Sequence, residues 1–157
     1  MSDPTPLGRK RQDASKERTR LWLRLLKITR PIEAELRERL RVEFGTTLPR
    51  FDVMSALSRS PSGLKMSELS RMLMVSNGNV TGIVDRLTDD GLLIREAVPG
   101  DRRAAQVRLT RKGSEEFARQ ARAHQGWLDE LLAGLSGAEA ASVAEMLLPA
   151  LPPKSER

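Results

Sequence analysis

The stretch MVSNGNVTGIVDRLTDDGLLIREAVPGDRRAAQVRLT, residues 74–110, holds two periods in succession. Val80, Ile83, Val84 and Leu87 recur at one-, three- and four-residue spacings, which places them on one face of a helix. Ser76 before them is a good N-cap, because a hydroxyl there accepts from the free N–H groups of the first turn. Gly91 suits the left-handed residue that ends such a helix. Beyond Gly91 the period changes. Residues 92–98 read as a strand and residues 105–109 alternate as a second, with Pro99-Gly100-Asp101 turning between them. Arg102 and Arg103 are expected near the tip of this hairpin.

Working toward the N-terminus, Leu69, Met72 and Leu73 mark a short helix over 66–74, and Ser60-Pro61-Ser62-Gly63 is a turn. Thr47 can cap an earlier helix with Pro49 in its first turn and Phe51, Val53, Met54 and Leu57 on its apolar side. Residues 15–44 carry an apolar helical face through Leu21, Trp22, Leu25, Leu26, Ile32, Leu36 and Leu40. Pro31 interrupts it, at a cost of roughly 3 kcal/mol in a helix interior, so one kinked helix is expected. Residues 1–14, with Pro4, Pro6, Gly8 and a basic run, read as a flexible tail. Toward the C-terminus, Thr110 caps a long helix over 111–133, and a last helix runs over 136–150. The expectation is one domain over 15–157 of a mainly α class, with a small β-hairpin. A core over 47–110 is flanked by helices at 15–45 and 111–151.

The charge is unevenly spread. The chain has 157 residues, a net charge of +6 and a pI near 10.4. Residues 1–112 hold 23 basic against 14 acidic groups, whereas residues 113–157 hold 4 against 7. A basic front suggests a polyanion as partner. There is no cysteine and one histidine, His124, so neither a thiolate nucleophile nor a Cys-based metal site is available, and no metal or cofactor is expected. No nucleophile with a base and no phosphate-cradling loop stands out, which argues against an enzyme. No apolar run reaches 18 residues, and the first 13 are too polar for a secretory signal, so a cytoplasmic protein is expected with no membrane association.

Two short helices with a tight turn, followed by a basic hairpin, make a winged helix-turn-helix. The second helix of such a unit enters the major groove of DNA, where its N-terminal side chains reach base edges. The candidates are Ser76, Asn77, Asn79, Val80 and Thr81, with Arg86 further along. Asn can pair bidentately with adenine, and Thr can hydrogen-bond or offer its methyl to thymine. Arg102 or Arg103 in the hairpin can lie in the minor groove, where negative potential is focused. Asp101 would be repelled by phosphate and is expected to hold the loop by pairing with an Arg. Gly78 and Gly82 each cost roughly 1 kcal/mol relative to Ala in a helix. Either DNA approaches closely there, or the preceding helix does.

The residues Leu48-Pro49-Arg50-Phe51-Asp52, Glu68-Leu69-Ser70, Val75-Ser76, Val84-Asp85-Arg86-Leu87, Gly91-Leu92, Pro99-Gly100-Asp101-Arg102-Arg103, Leu109-Thr110 and Gly113 closely resemble the MarR family of transcriptional regulators. Lys65 departs from the pattern, standing where the family often has a capping Thr before Glu68. The resemblance implies a homodimeric repressor that binds a palindromic double-stranded DNA operator and responds to a ligand. It also assigns the flanking helices to a dimerisation layer. Val143, Met146, Leu147, Leu148 and Leu151 support dimerisation independently, being more apolar surface than a small domain easily covers. The resemblance places a small aromatic or acidic effector between that layer and the DNA-binding lobe, near Trp22, Leu26, Arg50, Phe51, His124 and Trp127. Both Trp can equally be core residues. A winged-helix architectural or protein-interaction module without an effector is the competing reading.

Overall fold

The computed structural model describes residues 6–73 and 77–150, and within them every side chain except those of residues 6–12, Asn77 and Arg102. The order is α1 (Pro6–Phe44), α2 (Leu48–Ser58), β1 (Leu64–Lys65), α3 (Met66–Leu73), α4 (Asn77–Asp89), β2 (Leu93–Val98), β3 (Asp101–Leu109), α5 (Arg111–Leu131), α6 (Gly137–Leu147) and a 3-10 turn, Leu148–Ala150. This is the expected class: mainly helical, with a small hairpin.

Local chemistry explains the helix starts. The Thr47 hydroxyl accepts from Arg50 N–H at 3.4 Å, with Pro49 in the first turn of α2. Thr110 accepts from Gly113 N–H at 3.0 Å at the head of α5. Ser136 and Glu139 form a reciprocal capping box on α6. Each such cap contributes about 1 kcal/mol. The helix α1 is longer than expected. It runs unbroken through Pro31 and takes in residues 6–14, which the sequence reading assigned to a tail. Pro6 is tolerated in a first turn, and Arg, Lys, Gln and Ala are good helix formers. Residues 1–5 of that tail lie outside the described residues.

The sheet has three antiparallel strands in the order β1-β3-β2. The strand β1 was not expected, since two residues carry no readable period. Leu64 pairs with Val107, and Gly63 just before it has φ +96°. A Cβ at Gly63 would lie 2.9 Å from the Val107 carbonyl oxygen, so only glycine lets the chain enter this pairing.

Two apolar clusters form. The first joins Val53, Met54, Ala56 and Leu57 of α2 to Leu69 of α3, to Val80, Val84 and Leu87 of α4, and to Leu92, Leu93 and Val107. The second joins Leu36 and Leu40 of α1 to Phe51 and Trp127. The helix α2 therefore belongs to both. The N-terminal half of α1 and all of α6 lie outside them: α6 has no buried residue, and Trp22 and Met146 are 57% and 70% exposed. Among the described residues no helix is long and apolar enough to cross a membrane.

Candidate nucleic-acid interface

The pair α3 and α4 presents the site. The head of α3 keeps half of a capping box despite Lys65, because the Glu68 carboxylate accepts from the Lys65 N–H at 2.7 Å. The helix α4 has two opposed faces. Val80, Val84 and Leu87 are fully buried against α2 and the sheet. Gly78, Asn79, Thr81, Gly82, Asp85 and Arg86 are exposed. Val80 is therefore corrected: it is a core residue and not a DNA contact, because it shares the apolar stripe with Val84 and Leu87. Asn79, Thr81 and Arg86 all lie on the exposed side of α4. Ser76 and the side chain of Asn77 lie outside the described residues.

The far end of α4 is tied down. Asp90, just past it, pairs with the Arg50 guanidinium of α2, and its carbonyl accepts from Lys112 Nζ at 2.8 Å. Asp85 pairs with Arg95 on β2, which offsets the one acidic charge on the exposed face of α4 ahead of Arg86. Arg86 makes no ion pair among the described residues.

The hairpin differs from expectation in register. Leu93 to Ala97 pair in step with Leu109 to Ala105, and then Val98 pairs with Asp101. Pro99 and Gly100 alone make the turn, with Gly100 at φ +82°. Residues 102–104 have no opposite number and bulge from β3. Arg102 and Arg103 thus sit on this bulge, just past the two-residue turn. Asp101 does hold the loop, but its carboxylate accepts from the Arg103 backbone N–H at 3.1 Å, in place of the expected guanidinium pairing for Arg103. The Arg103 side chain is exposed and makes no ion pair among the described residues. The Arg102 side chain lies outside the described residues. At the base of the hairpin Arg108 Nε donates to Glu96 at 2.9 Å, which holds the Glu96 carboxyl below the usual carboxylate range and braces the two strands.

The six effector candidates separate. The Phe51 and His124 rings stack at 4.6 Å, and Trp127 packs beside Phe44 with ring centroids 6.2 Å apart. Burial pushes the His124 pKa down. This junction is filled by its own side chains. Trp22 and Leu26 belong to neither cluster, and Arg50 is held by Asp90. Open space lies elsewhere among the described residues. A cavity of about 350 Å³ is lined by Pro49, Asp52, Leu73, Asn79 and Ile83. Sequence reasoning missed it because its walls come from three helices, each contributing one or two residues.

A sequence profile described as "MarR family" matches residues 44–104. The crystal structure of a MarR family transcriptional regulator from Silicibacter pomeroyi is 35% identical, and the alignment covers 88% of this chain and 96% of that one, with a TM-score of 0.73. The chain belongs to the MarR family. A mutant MarR from E. coli complexed with operator DNA is 26% identical over 87% of this chain and 96% of that one, with a TM-score of 0.75. Among curated relatives, the transcriptional activatory protein BadR of Rhodopseudomonas palustris is 36% identical over 54% of this chain and 45% of its own length. The chain spans about half the length of the curated relatives it matches.

Proposed function

We propose that this protein is a sequence-specific double-stranded DNA-binding transcriptional regulator, acting in the cytoplasm as a homodimer. The observation that carries the reading is the exposed face of α4 beside the bulged, arginine-bearing hairpin. One element is shaped for the major groove and the other for the minor groove, and Arg86 on the first and Arg103 on the second make no ion pair among the described residues. The MarR complexed with operator DNA has this fold. Two copies related by a two-fold axis read an inverted repeat, with half-sites about one helical turn, roughly 34–36 Å, apart. The exposed apolar residues of α1 and α6 supply the surface for that pairing.

The protein acts as a repressor released by a small aromatic effector. The cavity beside α4 supports this over a module without an effector. A ligand between Leu73 and Ile83 touches Asn79, a base-reading candidate, so ligand and operator compete for one side chain. Burial, and then the nearby Glu33, push the Asp52 pKa up at the same cavity, so a ligand that presents a neutral or donor group to Asp52 fits better than one that presents a carboxylate.

The test is a set of titrations on operator and scrambled duplexes at one salt concentration. Asn79→Ala is expected to weaken operator binding by about 1–3 kcal/mol while leaving scrambled DNA nearly unchanged, since it removes a base contact and no charge. Arg103→Ala is expected to weaken both, since a minor-groove arginine responds to shape and charge. Equal losses on both duplexes for Asn79→Ala would mean the residue is structural and the recognition face is misplaced.

A further inference from the structure

We infer that Gly78 and Gly82 form a bare strip along α4 that lets the helix backbone itself lie against the base-pair edges of the major groove, so that the short side chains beside it can read them. The inference rests on the DNA-binding reading above.

Glycine weakens a helix, so two of them four residues apart in the recognition helix require a compensating gain. Packing among the described residues does not supply it. A Cβ built at either position meets no described residue within 4 Å. The contrast within the same chain is sharp: a Cβ at Gly63 would lie 2.9 Å from a carbonyl oxygen, and one at Gly113 would lie 1.9 Å from another. Those glycines make room for protein, whereas Gly78 and Gly82 face open space.

Their placement says what fills that space. At 3.6 residues per turn, positions four apart stack on one face, about 6 Å apart along the axis. That face is opposite Val80, Val84 and Leu87, so the strip is the part of α4 farthest from the core. It is the first surface to meet whatever α4 is pushed into. A major groove is about 12 Å wide, and an α-helix with its side chains is roughly 10–12 Å across, so a fully clothed helix already fills it. Stripping the leading face lets the axis settle deeper.

The flanking residues require that depth. Asn79 and Thr81, on either side of the strip, have short side chains. A helix that reads bases with Arg or Gln can stand off; one that reads with Asn and Thr must come close. The glycines and the short readers thus explain each other. A bulky residue at position 82 would hold Asn79 and Thr81 away from the bases without touching either.

The experiment compares the full chain with Gly78→Ala, Gly82→Ala, Gly82→Leu and Gly126→Ala. Gly126 is the control, being a glycine inside α5 with equally open space around its Cβ position, away from the proposed interface. Melting temperatures are measured, together with affinities for a duplex that the wild-type protein enriches from a random pool and for a scrambled duplex. Each alanine variant is expected to raise the melting temperature by about 2–4 °C, from the better helix propensity. Gly82→Ala is expected to lower affinity for the enriched duplex at least tenfold, and Gly82→Leu to reduce it to the scrambled level. Gly126→Ala should leave both affinities unchanged. The proposal is overturned if Gly82→Ala is stabilising and binds the enriched duplex within twofold of wild type, or if it lowers the melting temperature as a packing glycine would. A wild-type protein that enriches no duplex would instead sink the DNA-binding reading, and the strip with it. Enrichment by wild type and by Gly126→Ala separates that failure from failure of the strip alone.

Discussion

Gly113→Ala is expected to destabilise the fold by about 3–5 kcal/mol, well above the usual range for a one-carbon change. The added Cβ would sit 1.9 Å from the Leu92 carbonyl oxygen and 2.9 Å from its carbon. These are backbone atoms, so no side-chain rotation relieves the clash. Nor can the carbonyl move away cheaply. It accepts from Thr110 N–H at 3.0 Å and lies 3.2 Å from the Thr110 hydroxyl, the same residue that caps α5. Leu92 itself is buried in the lobe core. Relief therefore requires separating the first turn of α5 from the start of the hairpin. Urea denaturation of the variant and the wild type checks this, with the midpoint moving and the slope unchanged. A loss below about 1 kcal/mol would mean that the first turn of α5 moves freely away from Leu92, contrary to the packing described.

Affinity for duplex DNA is expected to fall roughly 10³-fold between 50 and 200 mM salt, from a slope near −5 in log affinity against log salt. The estimate counts Arg86, Arg102 and Arg103 on each protomer of a dimer, so about six phosphates neutralised and six counterion positions vacated, at about 0.9 each. Arg103→Ala removes two of these per dimer and should make the slope shallower by about 2. Fluorescence anisotropy over a salt series measures both slopes. A flat dependence would remove the polyanion from the account. An unchanged slope for Arg103→Ala would leave the hairpin in place but take that arginine off the phosphates.

Much of this architecture was legible in the residues. The apolar spacings at Phe51 to Leu57 and Val80 to Leu87 located the helices, and the Thr47, Thr110 and Ser136 caps fixed three helix starts, because each signal is local. What was misread depends on non-local pairing. Two residues of β1 gain their conformation only from β3. The bulge at residues 102–104 depends on register, which the alternation of Ala105 to Leu109 does not specify beyond its own length. The misassignment of Val80 was avoidable, since its spacing to Val84 and Leu87 already placed it on the buried stripe. The two tryptophans of the effector set part for a further reason. Trp22 and Trp127 both sit on apolar helix faces, but α1 outruns the lobe before it reaches Trp22, so one ring is covered by this chain and the other is not.

The double membership of α2 has a consequence for how the molecule comes apart. Phe51 is held in one apolar cluster, and Val53, Met54 and Leu57 in the other, all within two turns of a single helix. Neither cluster can lose its order while the other keeps α2 intact. The slowest-exchanging backbone amides should therefore be shared, with α2 protected to the same opening free energy as Leu40 on one side and Leu87 on the other. Thermal melting should then trace one cooperative transition, with its calorimetric and van't Hoff enthalpies in agreement once dimer dissociation is included.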